Sequence, residues 1–263
     1  MKSLKIPYEI IDFHTHPYST AEENICIYKN DIPSDTDNFT ADLTRAGIDR
    51  FAGSVILRSE DRLCAMRSAN ETAYSLAEKW CGRYIPGIQI DPDFPEESIT
   101  EIKTAKDRGV NLIGELVPYF YGWDYSHRAF CDILRAVRDS EMTVSMHTTD
   151  LTFMRDVAAA LPDVNFVFAH PGEADKVKAH IEIMRDHKNV YLDLSGTGLF
   201  RYGMLSHLVR KVGAERILFG TDMPICNPFM YVGGVLGEPI SDDDKRLIFA
   251  ENAKRLLNLE QKI

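Results

Sequence analysis

Short runs rich in β-branched and aromatic residues recur along the chain, each followed by a stretch whose apolar positions repeat at helical spacing. The runs are Glu9 to His14, Arg50 to Leu57, Arg83 to Ile90, Asn111 to Val117, Thr143 to His147, Asn165 to His170, Val190 to Leu194 and Arg216 to Gly220. Several are almost continuously apolar, as parallel strands covered on both faces are. Between them, Ser126 reads as an N-cap for a helix whose stripe is Phe130, Ile133, Leu134 and Val137, and Glu97 to Arg108 reads as a helix stopped by Gly109. Ser241 to Asp244 resembles a capping box ahead of Leu247, Ile248, Leu256 and Leu257.

Eight strand–helix units make a single (β/α)8 TIM barrel spanning residues 1–263 the economical fold. An open, doubly wound sheet is the alternative, but no glycine-rich phosphate loop follows any predicted strand. Two connections, Pro17 to Asp35 and Met223 to Ile240, are too long for turns and are expected as long loops after strands one and eight. They carry Tyr18, Ile25, Ile27, Tyr28, Phe229 and Tyr231, apolar enough to wall a pocket at the carboxyl end of the barrel, where barrel enzymes place their chemistry.

Composition narrows the partners. A formal charge of −10 without any Lys/Arg block argues against nucleic acid and anionic membranes, and no apolar run is long enough for a signal peptide or a membrane span. The 5 cysteines are scattered and odd in number, which points to free thiols and a cytoplasmic setting. A small-molecule substrate is expected, with the chain acting alone or as a homo-oligomer.

The chemistry concentrates in histidines. Residues two apart on a strand share a face, so His14 and His16, in Asp12-Phe13-His14-Thr15-His16, can converge on one ion. His147 and His170 end predicted strands five and six, whereas His127, His180, His187 and His207 fall in predicted helices. Asp222 follows strand eight, beside strand one in a closed barrel. Imidazoles plus a carboxylate suit a divalent cation, Zn²⁺ first, with Mn²⁺ or Fe²⁺ as alternatives.

These motifs, with Gly220-Thr221-Asp222 and the closing Glu251 to Leu257 helix, resemble the amidohydrolase superfamily. The best match is its subgroup of metal-dependent barrels that includes aminocarboxymuconate-semialdehyde decarboxylase and related hydrolases. The resemblance implies metal-associated roles for His14, His16, His147 and Asp222, and an acid/base or polarising role for His170. Glu115 is the departure. It stands on strand four, where some superfamily members carry a carboxylated lysine or glutamate between two metals, so it reads either as a ligand or as a salt-bridged neighbour. One ion is expected, and two would need Glu115.

Other polar residues near strand ends have plainer readings. Asp12 is expected to orient an imidazole or hold strands together, Asp91 and Glu173 to cap helices, and Arg58 to pair with Glu60 or Asp61 or bind a substrate carboxylate. Tyr119, Tyr121 and Trp123 either line the pocket or pack at the rim. Ser195-Gly196-Thr197-Gly198 offers a weak signal for backbone hydrogen bonds to a polar ligand. With Asp222 as base and His170 stabilising an oxyanion, the expected reaction is metal-dependent hydrolysis of an amide, lactone or ester in a small substrate. The competing readings are non-oxidative decarboxylation of an aromatic or unsaturated acid, for which Arg58 or Arg201 would hold a carboxylate, and a barrel that has lost catalysis.

Overall fold

The structure is a computed structural model that describes residues 6–138 and 141–259. All eight predicted strands form: β1 (Ile11–Thr15), β2 (Arg50–Ser54), β3 (Tyr84–Ile88), β4 (Leu112–Leu116), β5 (Thr143–His147), β6 (Asn165–Ala169), β7 (Val190–Asp193) and β8 (Ile217–Leu218). They pair in parallel in chain order. The last step of closure falls between the segment after β8 and β1, where Phe13 N–H donates to Phe219 O at 2.8 Å and Asp222 N–H to His14 O at 2.8 Å. The chain is thus a single (β/α)8 barrel. Several strands end earlier than their apolar runs, because the last residues of each run turn out of the ladder to build the rim.

Around the barrel lie α1 (Thr36–Arg45), α2 (Arg62–Lys79), α3 (Pro95–Asp107), α4 (Arg128–Arg138), α5 (Leu151–Ala160), α6 (Ala174–Asp186), α7 (Met204–Val212) and α8 (Pro228–Gly237). The chain closes with α9 (Asp242–Arg246), a π-helical turn (Leu247–Glu251) and α10 (Asn252–Leu256). The expected capping box is present, with Ser241 Oγ accepting from Asp244 N and the Asp244 carboxylate accepting from Ser241 N. α4 buries Phe130, Ile133 and Leu134; the side chain of Val137 lies outside the described residues. Ser126 does not cap that helix. Asp124 takes its N–H at 2.7 Å, and the helix begins two residues later.

The loop expected after strand eight is instead interrupted by a helix. Asn227 caps α8 and Pro228 occupies its first turn, both good starting residues. Gly233 and Gly234 then sit inside the helix, where glycine is unfavourable, and this hid it from a propensity-based reading. At Gly234 the missing side chain leaves room for Leu199 in the loop after β7, which a Cβ at 2.9 Å would push aside. The connection after β1 does run as an irregular loop to Asp35, the N-cap of α1. Its Tyr18 is buried, but Ile27 and Tyr28 are 82 % and 70 % exposed, so these two do not wall a closed pocket.

Candidate metal centre

Glu115, in β4, stands between two pairs of imidazoles. Its Oε2 lies 3.3 Å from His14 Nε2 and 3.2 Å from His16 Nε2. Its Oε1 lies 3.0 Å from His147 Nδ1 and 3.4 Å from His170 Nε2. Asp222 Oδ1 approaches the first pair at 3.6 and 3.5 Å. The five histidine and acid positions read from the sequence are therefore gathered at one end of the barrel, together with Glu115. His147 joins Glu115 and His170, 3.1 Å from His170 Nε2, rather than the His14–His16 group.

The far nitrogens explain the near ones. His14 Nδ1–H donates to Asp193 Oδ2 at 3.0 Å, and His16 Nδ1–H to the Ser54 carbonyl at 3.0 Å. An imidazole that donates through Nδ1 presents a lone pair at Nε2 unless it is protonated. The two Nε2 atoms nevertheless face each other at 3.2 Å, with a carboxylate oxygen on both. Three acceptors in such proximity call for a shared cation or an added proton. The separations of 3.2–3.6 Å among these donors and Asp222 match the edge of a tetrahedral shell, about 3.3–3.5 Å for ligands ~2.1 Å from a metal. Three triads, His14/His16/Glu115, His14/His170/Asp222 and Glu115/His147/His170, each place their donor atoms within 4.8 Å of one another. The residues fit a divalent cation.

Electrostatics point the same way. Burial disfavours charge on His14, yet the Glu115 and Asp193 carboxylates outweigh it and raise its pKa well above the usual imidazole value. Burial would likewise raise Glu115, but His14 and hydrogen bonds from His147 and His16 hold it well below the ordinary carboxylate range. Asp193 is lowered, His14 again overcoming burial. In Asp222 burial prevails and the pKa rises, against the pull of His14, His16 and His170. The pocket draws positive charge to the point where the imidazole lone pairs meet.

His170 and Asp222 both adopt φ of 66°, a left-handed conformation uncommon outside glycine and frequent where a chain must aim a functional side chain. Gly196 makes room for one of them, since a Cβ there would lie 2.3 Å from His170 Nδ1. Asp12 accepts from His14 N, Thr221 N and Thr221 Oγ1 at 3.1, 3.0 and 2.5 Å, so it holds β1 to the segment after β8, as expected.

Some sequence candidates lie elsewhere. Arg201 pairs with Glu173 at 3.2 Å and its side chain is 63 % exposed, so it holds no place at the centre. Asp91 caps no helix; it pairs with Arg62 at 2.6 Å. Glu173 precedes α6 but its side chain makes no capping bond. Of the four histidines assigned to helices, His180 and His207 are helical, while His127 and His187 flank helix ends. Trp123 is buried, and the buried Tyr121 ties its hydroxyl to Leu57 O at 3.0 Å. Arg58 pairs with neither Glu60 nor Asp61. Its guanidinium lies 3.5 Å over Phe120, whose ring meets Tyr119 at 4.5 Å, and Tyr119 in turn meets His147 at 5.1 Å. Arg58 also lines a cavity of about 530 Å³ with Asn24, Ile25, Cys26, Ile56 and Leu57, between the loops after β1 and β2.

Asp193 escaped the sequence reading, and so did the hydroxyl contacts of Ser195, whose segment was read only for backbone hydrogen bonds to a ligand. Asp193 ends β7 in Tyr-Leu-Asp-Leu, where an acid inside an apolar strand was the available signal. Ser195 is fully buried two residues later and touches His14, His170 and Asp193.

A family model described as amidohydrolase matches residues 11–259. The chain belongs to the amidohydrolase family. A comparison with curated proteins gives no match. Among solved structures, 2,6-dihydroxybenzoate decarboxylase from Rhizobium is similar, with a TM-score of 0.74, 16 % identity, and coverage of 96 % of this chain and 99 % of that one. An uncharacterised TIM-barrel protein of Bordetella bronchiseptica gives 0.77 at 20 % identity, covering 95 % and 98 %. The 5-carboxyvanillate decarboxylase of Novosphingobium aromaticivorans, complexed with manganese and 4-hydroxy-3-methoxy-5-nitrobenzoic acid, gives 0.71 at 15 % identity, covering 96 % of each chain. At these identities the likeness is one of fold. No helix among the described residues is long and apolar enough to cross a membrane.

Proposed function

We propose that this amidohydrolase is a metal-dependent lyase that removes the carboxyl group of a hydroxylated aromatic acid without oxidation. The observation that carries the reading is Arg58, a guanidinium stacked on Phe120 beside the aromatic rim of the centre, with no carboxylate partner among the described residues. Similar barrels that decarboxylate dihydroxybenzoate and carboxyvanillate support it. This choice replaces hydrolysis, the first expectation from the sequence, with its alternative.

When bound, a divalent cation supplies Lewis acidity toward a substrate oxygen. His14, His16, Asp222 and Glu115 would hold it, and Mn²⁺ is the proposed ion, since nitrogen and oxygen donors without thiolate suit it as well as Zn²⁺ and three similar structures carry manganese. Tyr119 and Phe120 face the ring of the acid, and Arg58 binds an anionic substituent. As the carbon–carboxylate bond breaks, its electron pair remains on the ring carbon and CO₂ leaves. Asp222 and His170, which share a cluster with His14, are the groups placed to deliver one proton to that carbon. The scattered thiols remain free and suit the proposed cytoplasmic setting.

Hydrolysis is the second reading, and Glu115 favours it. A carboxylate that spans two imidazole pairs would suit two cations and an activated water. The test is product analysis of Mn²⁺-loaded protein. Release of CO₂ from 2,6-dihydroxybenzoate or 5-carboxyvanillate is expected with one metal per chain. Turnover of lactones or amides with two metals per chain, and no CO₂, would establish hydrolysis instead.

A further inference from the structure

Ser195 lies at the one point where both halves of the centre share a partner. Its Oγ is 3.0 Å from His14 Nδ1 and 3.0 Å from His170 Nδ1, and it makes a short hydrogen bond to Asp193 Oδ1. Ser195 N–H donates to the same carboxylate oxygen at 2.9 Å. A hydroxyl has one proton and two acceptor lone pairs. Asp193 already serves as acceptor at both oxygens, from Ser195 N–H at Oδ1 and from His14 Nδ1–H at Oδ2, 3.0 Å away, so the hydroxyl proton goes to it. The Oγ is then left with lone pairs alone, facing two imidazole nitrogens.

Neither nitrogen can therefore present a lone pair there without a buried repulsion between acceptors. Both must carry a proton. For His14, Asp193 Oδ2 already imposes this state at 3.0 Å. For His170, Ser195 Oγ is the only acceptor at Nδ1 among the described residues. The ring is also confined on that side, because Gly196 leaves it space that a Cβ would fill.

We infer that Ser195 is a positioning residue that fixes His170 as the Nδ1–H imidazole and turns its Nε2 toward Glu115, His147 and the reacting atoms. Through it, Asp193 orients two imidazoles at once, one on each side of Glu115. Outer partners that set a tautomer in this way are commonly worth 10–100-fold in activity. The serine touches no substrate, so its effect falls on turnover and not on binding. The tautomer assignment stands on the hydrogen bonds alone; only its consequence for turnover rests on the decarboxylase reading.

Ser195→Ala removes a single oxygen from a fully buried position and is compared with wild type after loading with Zn²⁺ alone. Long-range ¹H–¹⁵N correlation of the histidine rings should show His170 protonated at Nδ1 in the wild type and released from that state in the variant, with zinc stoichiometry unchanged. With Mn²⁺ and 2,6-dihydroxybenzoate, kcat should fall about 10–100-fold while KM stays within about twofold. An unchanged tautomer pattern overturns the inference whatever happens to turnover. So does zinc loss in the variant, which would make Ser195 a support of the metal site itself. If wild type lacks decarboxylase activity but the ring signals change as described, the proposed reaction fails and the assignment of Ser195 stands.

Discussion

His14 and His16 sit on one oxygen of Glu115 with side chains 1 % and 2 % exposed, whereas His147 and His170 sit on the other with 23 % and 15 %. Each ring of the first pair is locked from behind, by Asp193 and by the Ser54 carbonyl. In the second pair His170 leans on Ser195, but His147 Nε2 has no partner among the described residues. The inner pair is a preorganised cage and the outer pair an adjustable wall. Rings held at both nitrogens suit a resident cation, which needs fixed donors. His147, held at one nitrogen and the more open to the mouth, can follow a substrate through the reaction, while His170 is fixed behind by Ser195 and meets Glu115 and His147 in front.

The sharpest way to break this contrast is to remove one member from each side. His14→Ala is expected to abolish metal binding and lower kcat/KM by at least about 10³-fold, because it deletes the donor whose Nε2 lies 3.2 Å from His16 Nε2 and 3.3 Å from Glu115 Oε2. Asp222→Ala should do the same, and far-ultraviolet circular dichroism should remain that of the folded barrel. A double variant of the two that turns over without metal would refute the arrangement. His170→Ala, on the outer side, should cost about 10²-fold in kcat while retaining most of the metal. Metal analysis beside kinetics decides: equal losses would make His170 a ligand and erase the difference between the pairs.

Arg58→Ala tests the mouth beyond the outer pair. A charge-assisted contact to an anionic substrate is worth about 1.5–3 kcal/mol, so KM should rise roughly 10–100-fold with kcat little changed. An equal KM for wild type and variant would leave the proposed reaction without its supporting observation. Removing the metal tests the cage as a folding element. Binding to the native state alone adds about 2.7 kcal/mol at 100 times Kd, which for a chain of this size raises the thermal midpoint by about 5–10 °C. Chelation should reverse that shift in wild type and have little effect in His14→Ala.

The sequence made the inner pair legible because strand periodicity alone puts His14 and His16 on one face, and closure of a barrel brings Asp222 to them. Glu115 could be placed at the rim but not between two pairs, since its two oxygens are allotted by the relative heights of β1, β4, β5 and β6. The ladders shift register within β1–β2 and within β4–β5, which no local pattern announces. Asp193 and the side-chain contacts of Ser195, which was read only for backbone hydrogen bonds, were invisible for a related reason. Their partners lie 179 and 181 residues away in the chain, so nothing beside them marks their role. Of the two readings of Arg58, pairing with Glu60 or Asp61 fails because the aromatic ring that holds the guanidinium comes from the loop after β4, which proximity in sequence cannot show.

The smallest expected effect concerns a histidine outside the cluster, and it shows what an imidazole does when nothing is supplied to hold it. His180, in α6, is fully buried near Phe168, and among the described residues neither ring nitrogen has a well-formed hydrogen bond, the His170 backbone giving only weak support. Burial pushes its pKa down to about 4, the opposite of His14 at comparable burial, where two carboxylates reverse the outcome. Because the native state resists a proton that the unfolded chain accepts near pH 6.5, stability should fall as the pH drops from about 6.5 toward 4. His180→Leu fills a similar volume with apolar atoms and removes this linkage. Relative to wild type it should gain about 2–3 kcal/mol at pH 4.5, and less at pH 7, measured from urea midpoints with matched slopes. A variant that tracks wild type across this range would mean that His180 is satisfied in solution, and that burial alone does not separate it from the histidines of the centre.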